Sequence, residues 1–171
     1  MVFHVSHHML KTRYCITFLI LLSCFLLKAQ EPKVIAFKDL QAMMDRNNDT
    51  TYVYNFWATW CKECVAELPN FEELNAKYQP QKVKVILISM DFKRELDTRL
   101  KPFIINRKIQ SQVFLLNEPD YNSWIDKIDP SWGGSIPATI IMNKQQKVRH
   151  FFEKELTFAQ LEEQIKSIIN K

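Results

Sequence analysis

The sequence predicts an α/β domain of three layers, with helices on both faces of a central mixed β-sheet. Three observations predict it. Val83-Lys84-Val85-Ile86-Leu87-Ile88-Ser89-Met90 is a nearly unbroken apolar run, as a strand covered on both faces requires. Before and after it, short β-type runs alternate with segments of helical periodicity. The chain then closes with two strands and one amphipathic helix. At 171 residues it is long enough for one domain with a sizeable core.

In order, Glu31 to Lys33 reads as a short linker and Val34 to Phe37 as a brief strand. Lys38 to Arg46 reads as a helix with Leu40, Met43 and Met44 inward, and Asn47-Asn48-Asp49 as a turn. Thr51 to Ala58, rich in β-branched and aromatic residues, is the first central strand. A helix over Cys61 to Tyr78 follows, with Val65, Leu68, Phe71 and Leu74 spaced near 3.6 and Pro69 inside it. Its acids Glu72 and Glu73 read as solvated. After the central run, a helix over about Lys93 to Asn106 is expected to break near Pro102.

Val113 to Leu116 is a short strand, and Tyr121 to Ile128 a short helix or turn. Asp129 to Ser135 is a loop holding the only two glycines, Gly133 and Gly134. Pro137 to Met142 and Lys147 to Phe152 form two strands joined by the four residues Asn143 to Gln146. Thr157 caps the last helix with Gln160 as its capping-box partner; Phe158, Leu161, Ile165, Ile168 and Ile169 form its apolar face.

The chemistry concentrates at Asn55-Phe56-Trp57-Ala58-Thr59-Trp60-Cys61-Lys62-Glu63-Cys64. Cys61 falls where a strand meets a helix, in the first helical turn. There the unpaired backbone N–H groups and the dipole favour an anion, and a thiolate is an anion. Cys64 lies one turn deeper on the same face, within reach of a disulfide. The outer thiol is expected to be an exposed nucleophile more acidic than the free value of ~8.5. That is what thiol–disulfide exchange needs: an attacking thiol and a resolving one. Two other readings compete. Half of a zinc site would need further ligands, and beyond the leader only His150 remains. A peroxidase nucleophile has Thr59 two residues before Cys61, but the flanking tryptophans and the paired Cys64 fit exchange better.

The stretch N-F-W-A-T-W-C-K-E-C resembles the active site of thioredoxin-fold proteins, and most closely their TlpA/ResA-like branch of exported thiol-disulfide oxidoreductases. The resemblance covers roughly residues 34–170, and Pro69 matches the kink of the family's helix. It implies a thioredoxin fold for residues 30–171 and a redox-active Cys61–Cys64 disulfide. It also implies a cis bond at Ile136-Pro137, against the disulfide, which would leave the Ile136 backbone to pair with an extended substrate; Gly133 and Gly134 would let that loop approach closely.

Glu67 lies three residues after Cys64 and so points inward beneath the site. By position alone it is either a buried functional acid or an ordinary helix acid. The resemblance favours function, because C-x-x-C-x-x-E recurs in that branch. Ordinary thioredoxins carry a buried aspartate where this chain has Asn55, which cannot titrate. Trp60 adjoins the nucleophile and is placed to shield the thiolate and touch substrate. Trp57 reads as core; Trp124 and Trp132 either shape a partner surface or pack. Lys62 and Glu63 act oppositely on the thiolate and leave the redox poise open.

Residues 1–29 carry three of the four net positive charges, on Lys11, Arg13 and Lys28. The near-neutral remainder gives no basis for nucleic-acid binding. Tyr14 to Leu27 is an apolar stretch of 14 residues, short of the ~20 that span a membrane, and reads as a signal-peptide core with cleavage after Ala29. An uncleaved membrane anchor is the alternative, and Leu21-Leu22-Ser23-Cys24 is similar to a lipobox. The histidine-bearing residues 1–8 fit translation starting at Met9.

The expectation is therefore an exported enzyme of the periplasm or cell envelope. It would exchange its disulfide with cysteines of envelope proteins, as a reductase recharged by a membrane or envelope electron donor. A disulfide oxidase or isomerase, or a redox-inert binding module, is the alternative. No cofactor is expected, since neither G-x-G-x-x-G nor a P-loop occurs, and no metal.

Overall fold

The computed structural model describes residues 31–170. The readings of the leader, Cys24 included, lie outside the described residues. Six strands form one sheet: β1 (Lys33–Ile35), β2 (Thr51–Trp57), β3 (Val83–Ser89), β4 (Gln112–Leu116), β5 (Ala138–Asn143) and β6 (Val148–Phe152). Their order is β1-β4-β3-β2-β5-β6. The first four run parallel, while β5 runs antiparallel to both its neighbours, β2 and β6, so the sheet is mixed.

Five helices cover it: α1 (Phe37–Met44), α2 (Lys62–Tyr78), α3 (Lys101–Asn106), α4 (Ile125–Ile128) and α5 (Phe158–Ile169). Successive steps β2 to β3 and β3 to β4 go the same way across the sheet, and β1 to β2 goes the other way. Right-handed crossovers then put α2 and α3 on one face and α1 on the opposite one. Packing agrees. Trp57 packs in a tilted ring contact on Phe103 of α3, and Glu67 of α2 meets Asn55 from that face. The neighbouring residue Phe56 points the other way, against Trp124 and Trp132; Trp124 also stacks on Phe37 of α1. Both tryptophans are core residues, which decides against a partner surface.

Several expected boundaries move for local reasons. Phe37 is the first residue of α1, not the last of β1, and it is buried with Leu40, Met43 and Met44. Cys61 is the N-cap of α2, outside the helix proper. Pro69 lies inside α2 without ending it. The break near Pro102 sits upstream, as a π-helical turn over Leu96–Leu100 that leads into α3. Pro102 has no N–H to give a regular turn, so the preceding ladder widens. Glu72 is not simply solvated: its carboxylate accepts the backbone N–H groups of Gln110 and Ser111, ahead of β4. The capping box of α5 is formed by Thr157 and Gln160. Among the described residues no helix is long and apolar enough to cross a membrane.

Candidate active site

All seven residues of β2 are buried, so this strand delivers its end with little freedom. After Trp57 the chain turns, Cys61 N–H donating to the Ala58 carbonyl at 3.1 Å. Cys61 keeps an extended conformation, and its sulfur accepts the Cys64 backbone N–H at 3.2 Å. That N–H is one of the orphan donors of the helix start, so the sulfur occupies the place of a capping oxygen. The two sulfurs are joined in a disulfide, with the α carbons 5.2 Å apart. Cys61 is only 6% exposed, a correction to the expectation of an open nucleophile. The cover comes from the loop before β5: the Ile136 carbonyl oxygen lies 3.8 Å from Cys61 Sγ, and Ile136-Pro137 is cis. Trp60, by contrast, is 53% exposed beside the disulfide.

Within the chain the two glycines make room for close neighbours of their own loop. Gly134 has φ +91°, which a side chain would strain, and a Cβ on Gly133 would press on the Glu153 carboxylate. Glu153, just after β6, accepts Gly133 N–H at 3.0 Å and Ser135 N–H at 2.8 Å. These N–H donors hold its carboxyl below the usual range, against slight desolvation. The loop thus closes on Glu153, and Trp132 Nε1 ties it again through the Ser135 carbonyl at 2.8 Å.

Glu67 is fully buried one turn below Cys64. Asn55 Nδ2 donates to its Oε1 at 2.8 Å, and Leu156 N–H to its Oε2 at 2.8 Å. Burial pushes its carboxyl up to about 7; the Leu156 and Asn55 donors oppose the rise and the charge of Glu155 adds to it. A carboxyl poised there both takes and gives a proton near neutrality.

Asp91 is the group that sequence reasoning missed. It is buried just past β3, and its carboxylate accepts Thr59 N–H, the Thr59 hydroxyl at 2.6 Å and the Ser89 hydroxyl at 2.8 Å. It pins the turn that carries Trp60 and Cys61. The available signal was its place at the carboxyl end of a parallel strand, where α/β sheets gather their functional groups. The same bonds commit the Thr59 hydroxyl to Asp91, which weakens the peroxidase reading. His150 pairs with Gln164 at 2.7 Å. Among the described residues no cluster of His, Cys, Asp and Glu is placed to hold a metal ion.

Residues 24–151 match the AhpC/TSA family. A ResA thiol-disulfide oxidoreductase of Bacillus thuringiensis (strain Al Hakam) is 30% identical over 145 residues, covering 84% of this chain and 74% of the relative. The chain belongs to the AhpC/TSA family and, within it, is a ResA-like thiol-disulfide oxidoreductase. Solved structures agree on the fold of this oxidoreductase. A thioredoxin-related protein from Neisseria meningitidis serogroup B superposes with a TM-score of 0.63 at 16% identity, covering 75% of this chain and 91% of that one. A DsbF homologue from Corynebacterium diphtheriae gives 0.56 at 22% identity, covering 73% and 75%. The thioredoxin fold and the Cys61–Cys64 pair thus stand together in one oxidoreductase.

Proposed function

We propose that this oxidoreductase is exported and acts as a reductase of disulfides in cell-envelope proteins. The reduced Cys61 thiolate attacks a partner disulfide and forms a mixed disulfide. Cys64 resolves it, and the pair is left as the Cys61–Cys64 disulfide. A membrane or envelope electron donor then restores the dithiol. The Ile136 carbonyl borders the sulfur, and Ile136 with the exposed Trp60 makes the face on which the partner lies; buried Pro137 sets the turn of that loop from beneath.

The observation that carries the direction is Glu67, buried one turn below Cys64. An oxidising member of this chemistry stabilises its reduced thiolate. A carboxylate beneath the pair does the opposite, raising the cost of any thiolate nearby and favouring the disulfide. The pair therefore gives electrons away readily. Glu67 also supplies the base that makes a buried Cys64 an attacking group.

Equilibration with glutathione tests the direction: the potential should fall near that of thioredoxin, about −270 mV, and a value near −120 mV would make the protein an oxidant. Export is tested by intact mass, with a mature N-terminus near Gln30 expected. A chain retaining residues 1–29 would instead be anchored, and a lipid on Cys24 would make it a lipoprotein. Trapping with Cys64→Ala, which stalls the mixed disulfide, should capture envelope proteins with cysteine pairs.

A further inference from the structure

Asn55 and Thr139 face each other in register across β2 and β5, and both are fully buried. Asn55 Nδ2 spends both hydrogens, one on Glu67 Oε1 at 2.8 Å and one on Thr139 Oγ1 at 3.1 Å. Its Oδ1 is buried and has no hydrogen-bond partner. Glu67 Oε2 accepts the Leu156 backbone N–H. Every neighbour aimed at this carboxyl is therefore a donor, which suits an anion.

A protonated Glu67 must itself donate from one oxygen. Oε2 faces a backbone N–H that cannot turn. Oε1 faces a side-chain amide that can. Rotating the Asn55 amide by half a turn exchanges Nδ2 for the unused Oδ1, at the cost of carrying the two Nδ2 hydrogens to the buried, unpartnered place that Oδ1 leaves. Oδ1 then accepts from Glu67 Oε1–H. The Thr139 hydroxyl, free to rotate, reverses from acceptor to donor toward the same oxygen.

We infer that Asn55 is a positioning residue for proton transfer at the active site, its amide turning over with Thr139 each time Glu67 takes the proton of Cys64. The inference rests on the reading of Glu67 as the base. In the resolving step the Cys64 thiol gives its proton to Glu67. The resulting thiolate attacks Cys61 Sγ in the mixed disulfide and forms the Cys61–Cys64 bond. The bond between Cys61 and the partner sulfur breaks, and the partner leaves as a thiolate with the electron pair. The turned amide holds the new carboxylic acid in a bonded state until its proton passes on. The groups that bear on Glu67 are uncharged Asn55 from the sheet, and Glu155 and the Leu156 N–H ahead of α5; Thr139 acts through Asn55, and Cys64 lies three residues earlier on α2.

Side-chain NMR of the oxidised full chain tests this. The Glu67 carboxyl carbon should titrate with a midpoint of about 7, and the Asn55 amide signals should move with the same midpoint. In Glu67→Gln the new amide keeps an oxygen for Leu156 N–H and offers an N–H to Asn55. Asn55 should then stay at its acid-limb position at every pH. Asn55→Leu, of similar volume, should raise the Glu67 midpoint by about one pH unit, a tenfold change in acid dissociation. It should move the pH profile of the resolving step equally. If Glu67 titrates while the Asn55 signals stay still, the relay is overturned and Glu67 remains the base. If Glu67 does not titrate between about pH 5 and 9, both readings fall.

Discussion

Replacing Glu67 with glutamine should change how stability depends on pH, in a direction that follows from burial. In the folded protein the carboxyl titrates at about 7, against an ordinary value of 4.5. Between those values the folded state holds a proton that the unfolded state has lost. Stability must then fall as pH rises through this window, and level off above it. The gap corresponds to about 3 kcal/mol when fully expressed, at 1.36 kcal/mol per pH unit. Glutamine carries no such proton, keeps the shape, and can still bond Leu156 and Asn55. Urea unfolding of the oxidised proteins across the window provides the assay. Wild type should lose up to about 3 kcal/mol relative to Glu67→Gln on passing from about pH 4.5 to 8. A stability difference that stays constant across that range would refute the placement of a raised carboxyl at position 67.

Three further outcomes follow from the same geometry. In the reduced protein Cys61 should alkylate much faster than Cys64, and Cys61→Ser should abolish insulin-type disulfide reduction; equal alkylation or retained activity would overturn the assigned roles. Asp91→Ala strips partners from Thr59 and Ser89, so calorimetry should show a loss of about 1–3 kcal/mol, with slower exchange; an unchanged midpoint would mean the turn is held otherwise. Glu153→Ala should speed hydrogen exchange at Gly133 and Ser135 while leaving the β2 amides protected. Because the Glu153 carboxyl is held low, the wild-type loop should loosen in the same way only as pH falls through that lowered value, and equal exchange at neutral pH would count against the clamp.

The sequence by itself determined the elements whose cause is local. The β-branched run of β2, the periodic apolar face of α2 and the Thr157–Gln160 capping box act over one or two turns of chain. Because strand end and helix start are adjacent, the position of Cys61 and the reach of Cys64 were legible too, as was the inward face of Glu67. Only tertiary structure decided what surrounds them. Asn55 meets Thr139 across 84 residues of chain, Glu67 meets Leu156 across 89, and Thr59 meets Asp91 across 32. Nothing in the local pattern marks such pairs, because sheet order and register create them. The covering of Cys61 by Ile136 and the closing of the glycine loop on Glu153 arise the same way. Periodicity tells a residue which way to face; the order in which strands pair tells it what it will find there.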